Sequence, residues 1–274
     1  MADPGKSGAL APVEHDLALI RVAAQKAGRI ALSYFHGDEE LDVRMKGGTS
    51  PVSAGDLAAD TFLREFLLKA RPDYGWLSEE SVDVSRTKRL TAPRTFVVDP
   101  IDGTRAFIDG RKTWCVSVAV VENGQAVAGA LDCPALGFAY HASAGGGAWK
   151  GDLRLAVGEP CNPPVIAAPK KCLAQLQSAF PGGFRHHGHI PSLAYRLAMV
   201  AEGRLDATLV RPTAHDWDIA AAGLIVAEAG ARVTDLDGGP VVLNGENVVQ
   251  PAMMAGLPAI LRAMFGVVTA DAFG

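Results

Sequence analysis

Three short acidic stretches in this 274-residue chain combine residue types that could do chemistry together. DPIDGTRAF runs from Asp99 to Phe107, directly behind the apolar run TFVV of Thr95 to Val98. Aspartate is depleted in strands and costly to bury without a partner, so a pair at a strand exit needs a reason. A turn is one reason and a metal is another. Upstream, LSEES sets Glu79 and Glu80 behind the apolar YGWL, and downstream HDWDIAAAG sets Asp216 and Asp218 on either side of Trp217. Each stretch alone has an ordinary reading, because carboxylates favour turns and the first turn of helices, where the helix dipole attracts negative charge.

Chemistry favours taking them as a group. Asp99, the backbone carbonyl of Ile101 and Asp102 offer hard oxygen ligands from one turn, which suits Mg²⁺ or Mn²⁺ far better than zinc. Pro100 restricts the backbone there and Gly103 frees it. If GTRAF begins a helix, the amides of Gly103 and Thr104 face outward where a phosphate oxygen could sit. Two metals about 3.5–4 Å apart would clamp such a phosphate between attacking water and leaving oxygen.

The elements that must position these residues alternate between helix and strand. VEHDLALIRVAAQKAGRIALSYF carries apolar residues at helical spacing, KGGTSPV reads as a loop or turn, and SAGDLAADTFLREFLLKA reads as a helix. Ser53 is its N-cap, with Asp56 three residues on as an acidic capping-box partner. YGWL, TFVV, WCVSVAVV and AVAGAL read as strands, the last two joined by the turn ENGQ as a hairpin. VIAAP, ATLV and ARVTDL are further strands, and LAQLQSAF, SLAYRLAMVAEG and WDIAAAGLIVAEAG are helices, the last closed by Gly230. Prolines and glycine interrupt both periods between Gly158 and Pro164, which divides the chain into lobes of residues 1–157 and 158–274. The class is α+β, with a largely antiparallel first lobe.

Composition narrows the function. Hydrophobic residues at 49% are ample for a core, and 26 basic against 30 acidic residues leave no cationic run for nucleic acid or lipid. The four cysteines show no C-x-x-C or zinc-like spacing, no signal-like leader opens the chain, and no stretch reaches the roughly 20 apolar residues of a membrane span. A soluble, reduced, cytoplasmic protein that binds neither nucleic acid nor membrane is expected.

DPIDGT followed by WDIAAAGLIVAEAG, with SEE upstream, resembles the inositol monophosphatase superfamily of Mg²⁺-dependent, lithium-sensitive phosphomonoesterases, from the first helix to Thr234 and Asp235. The resemblance implies a layered αβαβα sandwich of two lobes with the metals between them, two to three Mg²⁺ per site with Mn²⁺ as a substitute, a homodimer, and a small phosphorylated metabolite as substrate. It makes Glu79 the shared metal ligand beside Asp99 and the Ile101 carbonyl, and gives Asp102 and Asp218 to a second metal. Asp56 stands near a third, weaker metal, Thr104 positions the attacking water with Glu79, and Lys46 matches the active-site lysine.

Substrate signals conflict. SPVSAGDLAAD, WLSEES and Asp216 look more like 3′(2′),5′-bisphosphate nucleotidases, whereas DPIDGTRAF also looks like inositol and histidinol-phosphate enzymes. An inositol monophosphate or a 3′(2′),5′-bisphosphate nucleotide is the expected substrate, and a histidinol-phosphate or fructose-1,6-bisphosphate phosphatase, or a non-catalytic regulatory binding protein on the same fold, is the alternative. Arg211, Asp216 and Ser192 are the candidate substrate contacts, the last within a Pro191-Ser192 pair where the family has Gly-Ser or Gly-Thr. Arg211 and Arg185 offer planar guanidinium groups suited to a second phosphate, against the ordinary reading of a surface arginine. His186, His187 and His189 read as a solvated loop, His215 as a hydrogen-bonded structural histidine, and Trp76, Trp114 and the Ala220–Gly223 stripe as core. ASAGGGAW lacks phosphate-loop spacing and reads as a turn between two strands.

Overall fold

The computed structural model describes residues 12–37, 42–46, 50–81 and 86–273. Helix α1 (Val13–His36) buries Ile20, Ala23, Ala24, Ala27 and Ala31 at helical spacing. Strands β1 (Val43–Lys46) and β2 (Ser50–Ser53) form an antiparallel ribbon across the stretch read as a loop. Helix α2 (Ala54–Ala70) begins with the expected capping box: the Asp56 amide donates to Ser53 Oγ at 3.3 Å and the Ser53 amide donates to Asp56 Oδ2 at 2.8 Å.

Next come β3 (Gly75–Ser78), α3 (Arg86–Thr91), β4 (Thr95–Asp102), α4 (Thr104–Ile108), β5 (Cys115–Glu122) and β6 (Gln125–Cys133). β7 (Phe138–Ser143), β8 (Gly147–Lys150) and β9 (Leu153–Leu155) complete a seven-stranded sheet whose spatial order from β3 to β9 follows the sequence. Only β3 and β4 pair in parallel; the other neighbours are antiparallel. The hairpin of β5 and β6 turns on Asn123 and Gly124, with φ of 49° and 78°, the two left-handed residues a type I′ turn needs.

The second half contains β10 (Val165–Ala167), α5 (Leu173–Ala179), β11 (Arg185–His187), α6 (Leu193–Ala201), β12 (Ala207–Val210), α7 (Asp216–Glu228), β13 (Arg232–Asp235), β14 (Met253–Gly256) and α8 (Pro258–Met264). Its strands form a five-stranded sheet in the order β11-β10-β12-β14-β13. Arg185 to His187, read as a loop, is therefore an edge strand in parallel register with β10; three residues with flanking glycines are too short for a period to show.

The buried clusters define five layers. Ile20, Leu63 and Leu67 from α1 and α2 pack on Phe96, Val98, Val116 and Val118 of the large sheet. Its other face, with Val97, Ala119 and Leu131, packs on Leu197, Ile219, Ile225 and Val226 of α6 and α7, which also meet Val210, Met253 and Ala255 of the small sheet. Leu176, Leu261 and Met264 from α5 and α8 cover the outer face of the small sheet. The order is αβαβα. Helix α7 lies between two sheets, which explains why it is apolar on nearly every side. It comes so close to β6 that a Cβ on Gly129 would lie 2.9 Å from the carbonyl oxygen of Ala221. Trp76 and Trp114 are buried, as read, and Trp114 packs edge-on against Phe107 under α4.

Candidate active site

The two aspartates of DPIDGT reach one side of the sheet through a bulge. Successive residues of a strand face opposite ways, so positions three apart should diverge. In the ladder Asp99 stands opposite Ser117 and Asp102 opposite Cys115, three steps on β4 against two on β5. The extra residue turns Asp102 back toward Asp99. Pro100, which has no N–H for the ladder, falls inside this irregularity, where it is tolerated. Gly103 then takes φ of 95°, and a Cβ there would lie 3.1 Å from that of Ser192, so the exit into α4 needs glycine.

One carboxylate oxygen each from Asp99, Asp102 and Asp218 lies within 4.8 Å of the others. Glu79 lines the same pocket of about 290 Å³, together with Gly103, Thr104, Arg105, Arg111 and His189. Asp99 Oδ1 accepts from the Ile101 amide at 3.0 Å. Asp102 is held by the start of α6: Ser192 Oγ and the Ala194 amide, at 2.7 Å, donate to Oδ2, and the Leu193 amide donates to Oδ1 at 3.2 Å. Asp218 Oδ2 accepts from the His215 amide at 2.6 Å, and the His215 ring stacks on Trp217 with centroids 4.5 Å apart.

This set of carboxylates suits a cation. Burial, followed by repulsion from Glu79, Asp102, Asp218 and Asp56, holds the Asp99 carboxyl well above its ordinary value. Burial and the charges of Asp102 and Glu79 do the same to Asp218. Burial also raises Asp102, against the hydrogen bonds from Ser192, Ala194 and Leu193. Like-charged carboxylates this close coexist in ionised form only with positive charge among them, and all-oxygen donors fit a hard divalent ion.

Beside the cluster, Thr104 Oγ1 lies 3.1 Å from the Ile101 carbonyl and 3.3 Å from Asp56 Oδ1. Asp56 is thus shared between capping α2 and facing Thr104, and burial raises its carboxyl above the usual range despite four hydrogen bonds that oppose this. The turn carrying Glu79 is anchored from below by Asp60, which accepts from Ser78 Oγ and, at 2.8 Å, from Ser81 Oγ. Asp60 went unnoticed in the sequence. The signal was present in the two serines that bracket the glutamate pair.

The model of the inositol monophosphatase family matches residues 13–265. The chain belongs to that family. An inositol-1-monophosphatase of Rhizobium meliloti (strain 1021) is 35% identical to it over 248 residues, covering 85% of this chain and 91% of that protein. A 3′(2′),5′-bisphosphate nucleotidase CysQ of Aggregatibacter actinomycetemcomitans is 31% identical over 252 residues, covering 85% and 90%. Among solved structures, extragenic suppressor protein suhB of Bartonella henselae superposes with a TM-score of 0.78 at 30% identity, covering 92% of this chain and 99% of that one. Membership makes the chain a phosphomonoesterase and accounts for its layered fold. The family is metal-dependent, and the Asp99, Asp102 and Asp218 cluster could hold the ion.

Several residues of this inositol monophosphatase family member lie elsewhere than expected. Asp216, a candidate substrate contact, is fully buried, its oxygens accept from the Asn244 amide and Gln250 Nε2, both at 2.6 Å, and it lines neither this pocket nor its neighbour. Ser192 is also fully buried; its hydroxyl accepts from the Tyr195 amide at 3.0 Å to cap α6 and donates to Asp102. Lys46 ends β1, and its side chain lies outside the described residues. Arg185, exposed on β11, directs Nε to the Pro163 carbonyl at 3.4 Å. His186 and His189, by contrast, line a cavity beside the acidic pocket, as does Arg211. The glycine turn between β7 and β8 does bind an anion, but it is the chain's own Glu228, which accepts from the Gly145 and Gly147 amides, each at 2.9 Å.

Proposed function

We propose that this protein hydrolyses a small phosphate monoester, an inositol monophosphate or a 3′(2′),5′-bisphosphate nucleotide, with two to three Mg²⁺ ions per site. The observation that carries the reading is the convergence of Asp99, Asp102 and Asp218 oxygens beside the Thr104 hydroxyl. Asp99, the Ile101 carbonyl, Asp102, Asp218 and Glu79 are the proposed ligands. Divalent ions there supply charge neutralisation for the phosphate and acidify water.

The remaining roles fall to the chain's own groups. The Thr104 hydroxyl has one proton and two acceptors within reach, so when it donates to Asp56 its lone pairs remain for a proton of the attacking water. Asp56, with its carboxyl raised by burial, is a better proton acceptor near neutral pH than an ordinary aspartate. The water oxygen forms the new bond to phosphorus, the bond to the ester oxygen breaks, and the departing alkoxide takes a proton from solvent to leave as the alcohol. Gly103 and Thr104 amides face the phosphate, and Lys46 is proposed to add charge nearby. The two lobes 1–157 and 158–274, a cytoplasmic homodimer and lithium sensitivity are proposed on the family resemblance. No helix among the described residues is long and apolar enough to cross a membrane.

The test is phosphate release, with Mg²⁺ and with chelator, from inositol 1-phosphate, adenosine 3′,5′-bisphosphate, histidinol phosphate and fructose 1,6-bisphosphate. Metal-dependent release from at least one is expected. No release from any compound at millimolar Mg²⁺ would refute the reading.

A further inference from the structure

A second cavity, of about 460 Å³, adjoins the acidic pocket and shares His189, Pro191 and Asp218 with it. Its charge is opposite. Lys170, His186, Arg196 and Arg211 line it together with His189, and Asp218 at the shared edge is the one carboxylate among its lining residues. Ile190 and Leu209 contribute apolar wall beside these cations.

Arg196 is the unusual member. It projects from the first turn of α6, the same turn that holds Asp102, and is half-buried. One terminal nitrogen donates to the Leu209 carbonyl at 3.3 Å, while Nε is buried with no hydrogen-bond partner. Among the described residues no carboxylate forms an ion pair with it or with Arg211. A half-buried cation with no carboxylate ion-paired to it favours an anion, and a planar guanidinium lining a cavity matches a phosphate or carboxylate. The sequence offered no hint, since an arginine inside an apolar helix reads as a snorkelling side chain.

We propose that Arg196, with Arg211 at the rim, binds a second anionic group on the leaving-alcohol part of the substrate, so that the enzyme prefers monoesters bearing a further phosphate or carboxylate. This rests on the phosphatase reading above. The ester phosphate belongs to the acidic pocket and its ions, and the second anion to the basic cavity beside it. Arg196 is therefore a specificity residue.

The test compares matched substrates on the Mg²⁺-loaded enzyme: adenosine 3′,5′-bisphosphate against adenosine 3′-monophosphate for a phosphate, and 3-phosphoglycerate against glycerol 3-phosphate for a carboxylate. The wild type should favour the more anionic member of at least one pair by about tenfold or more in kcat/KM, what one charge-assisted hydrogen bond supplies. The responding pair identifies the anion. Arg196→Gln should erase the preference by raising KM for the anionic member alone, Arg196→Lys should keep part of it, and Arg211→Gln, at an exposed site that leaves folding intact, should weaken it. The less anionic partner controls for folding and for any effect of Arg196 on Asp102, whose charge it helps to balance. Equal losses on both members, or a wild type indifferent to the second anion, would overturn the proposal. If no compound turned over, the phosphatase reading would fail on its own. Calorimetric titration of metal-free protein with the two nucleotides would then decide, tighter binding of the bisphosphate that Arg196→Gln abolishes supporting the pocket and equal binding refuting it.

Discussion

The carboxylate of Asp102 accepts a 2.7 Å hydrogen bond from the amide of Ala194, a residue 92 positions further along the chain. Through it the bulged end of β4 is fixed by the first turn of α6, so one half of the molecule sets the direction of a carboxylate contributed by the other. The register shift of β4 brings Asp102 to the cluster, and α6 keeps it there.

Ser192→Ala tests that arrangement. The variant removes one of three donors to Asp102 and the side-chain cap of α6. Loss of a cap costs about 1 kcal/mol, so the melting temperature should fall by a few degrees. A less restrained Asp102 should raise the Mg²⁺ concentration for half-maximal activity several-fold, with substrate KM at saturating metal little changed. A variant altered in KM alone would return Ser192 to the role of substrate contact.

Thr104→Val isolates the hydroxyl that bridges Asp56 and the Ile101 carbonyl. Removing a group that positions and relays a proton should lower kcat by about 10²-fold or more. Thr104→Ser, which keeps the oxygen, should retain most activity. Metal-induced thermal stabilisation should survive in both variants. Near-normal turnover by the valine variant would remove Thr104 from the proton path.

Asp216→Asn should behave as a stability mutation. An amide in that place presents donors to the Asn244 amide and Gln250 Nε2, both of which already donate to Asp216. At least one buried pair is lost, at a cost of about 1–3 kcal/mol, and denaturant titration should register it. Turnover per folded molecule and KM should stay near wild type. A KM effect without destabilisation would contradict the buried, structural assignment.

The acidic cluster was legible because its carboxylates sit in two long motifs with fixed internal spacing, and the strands and helices nearest them are long enough to show a period. The layer order was not legible from periodicity: a nearly all-apolar α7 says that it is buried but not that two different sheets bury it. Short elements such as β9 and β11 have too few residues to carry a pattern. The burial of Asp216 and Ser192 was not legible either, because the direction of each side chain depends on distant partners, Gln250 for the one and Asp102 for the other. Arg196 stayed hidden for the same reason.

Asp99→Asn removes charge from the centre of the cluster. Metal-dependent turnover should be lost, and Mg²⁺ should no longer raise the melting temperature. In wild type the ion binds only the folded state, which stabilises by about 2.7 kcal/mol at a hundredfold excess over Kd. In chelator the order should reverse, with the asparagine variant melting higher, because burial and neighbouring carboxylates penalise an ionised Asp99. A variant less stable than wild type under both conditions would mean that the carboxylate serves the fold rather than the ion.

Asp132 allows a pH test away from the site. It faces α1 from β6, so close that a Cβ on Gly28 would lie 2.0 Å from its Oδ2, and it lines a cavity that shares no residue with the acidic pocket. Burial outweighs the attraction of Arg29 and pushes its carboxyl from 3.8 up to about 6. A folded-state value above the unfolded one means that the folded protein holds the extra proton. The stability this contributes is fully present below the unfolded value and is lost as pH rises through about 6. Asp132→Asn is neutral throughout, so its advantage over wild type should be near zero at about pH 4 and grow to as much as about 3 kcal/mol by about pH 8. His141 lines the same cavity with its value lowered to about 4 by burial and by Arg21, and it acts in the opposite sense. For that reason the difference between variant and wild-type unfolding curves is the quantity to measure. Catalytic constants should be unchanged, and unfolding free energies that stay parallel from about pH 4 to 8 would show that Asp132 reaches solvent when it ionises.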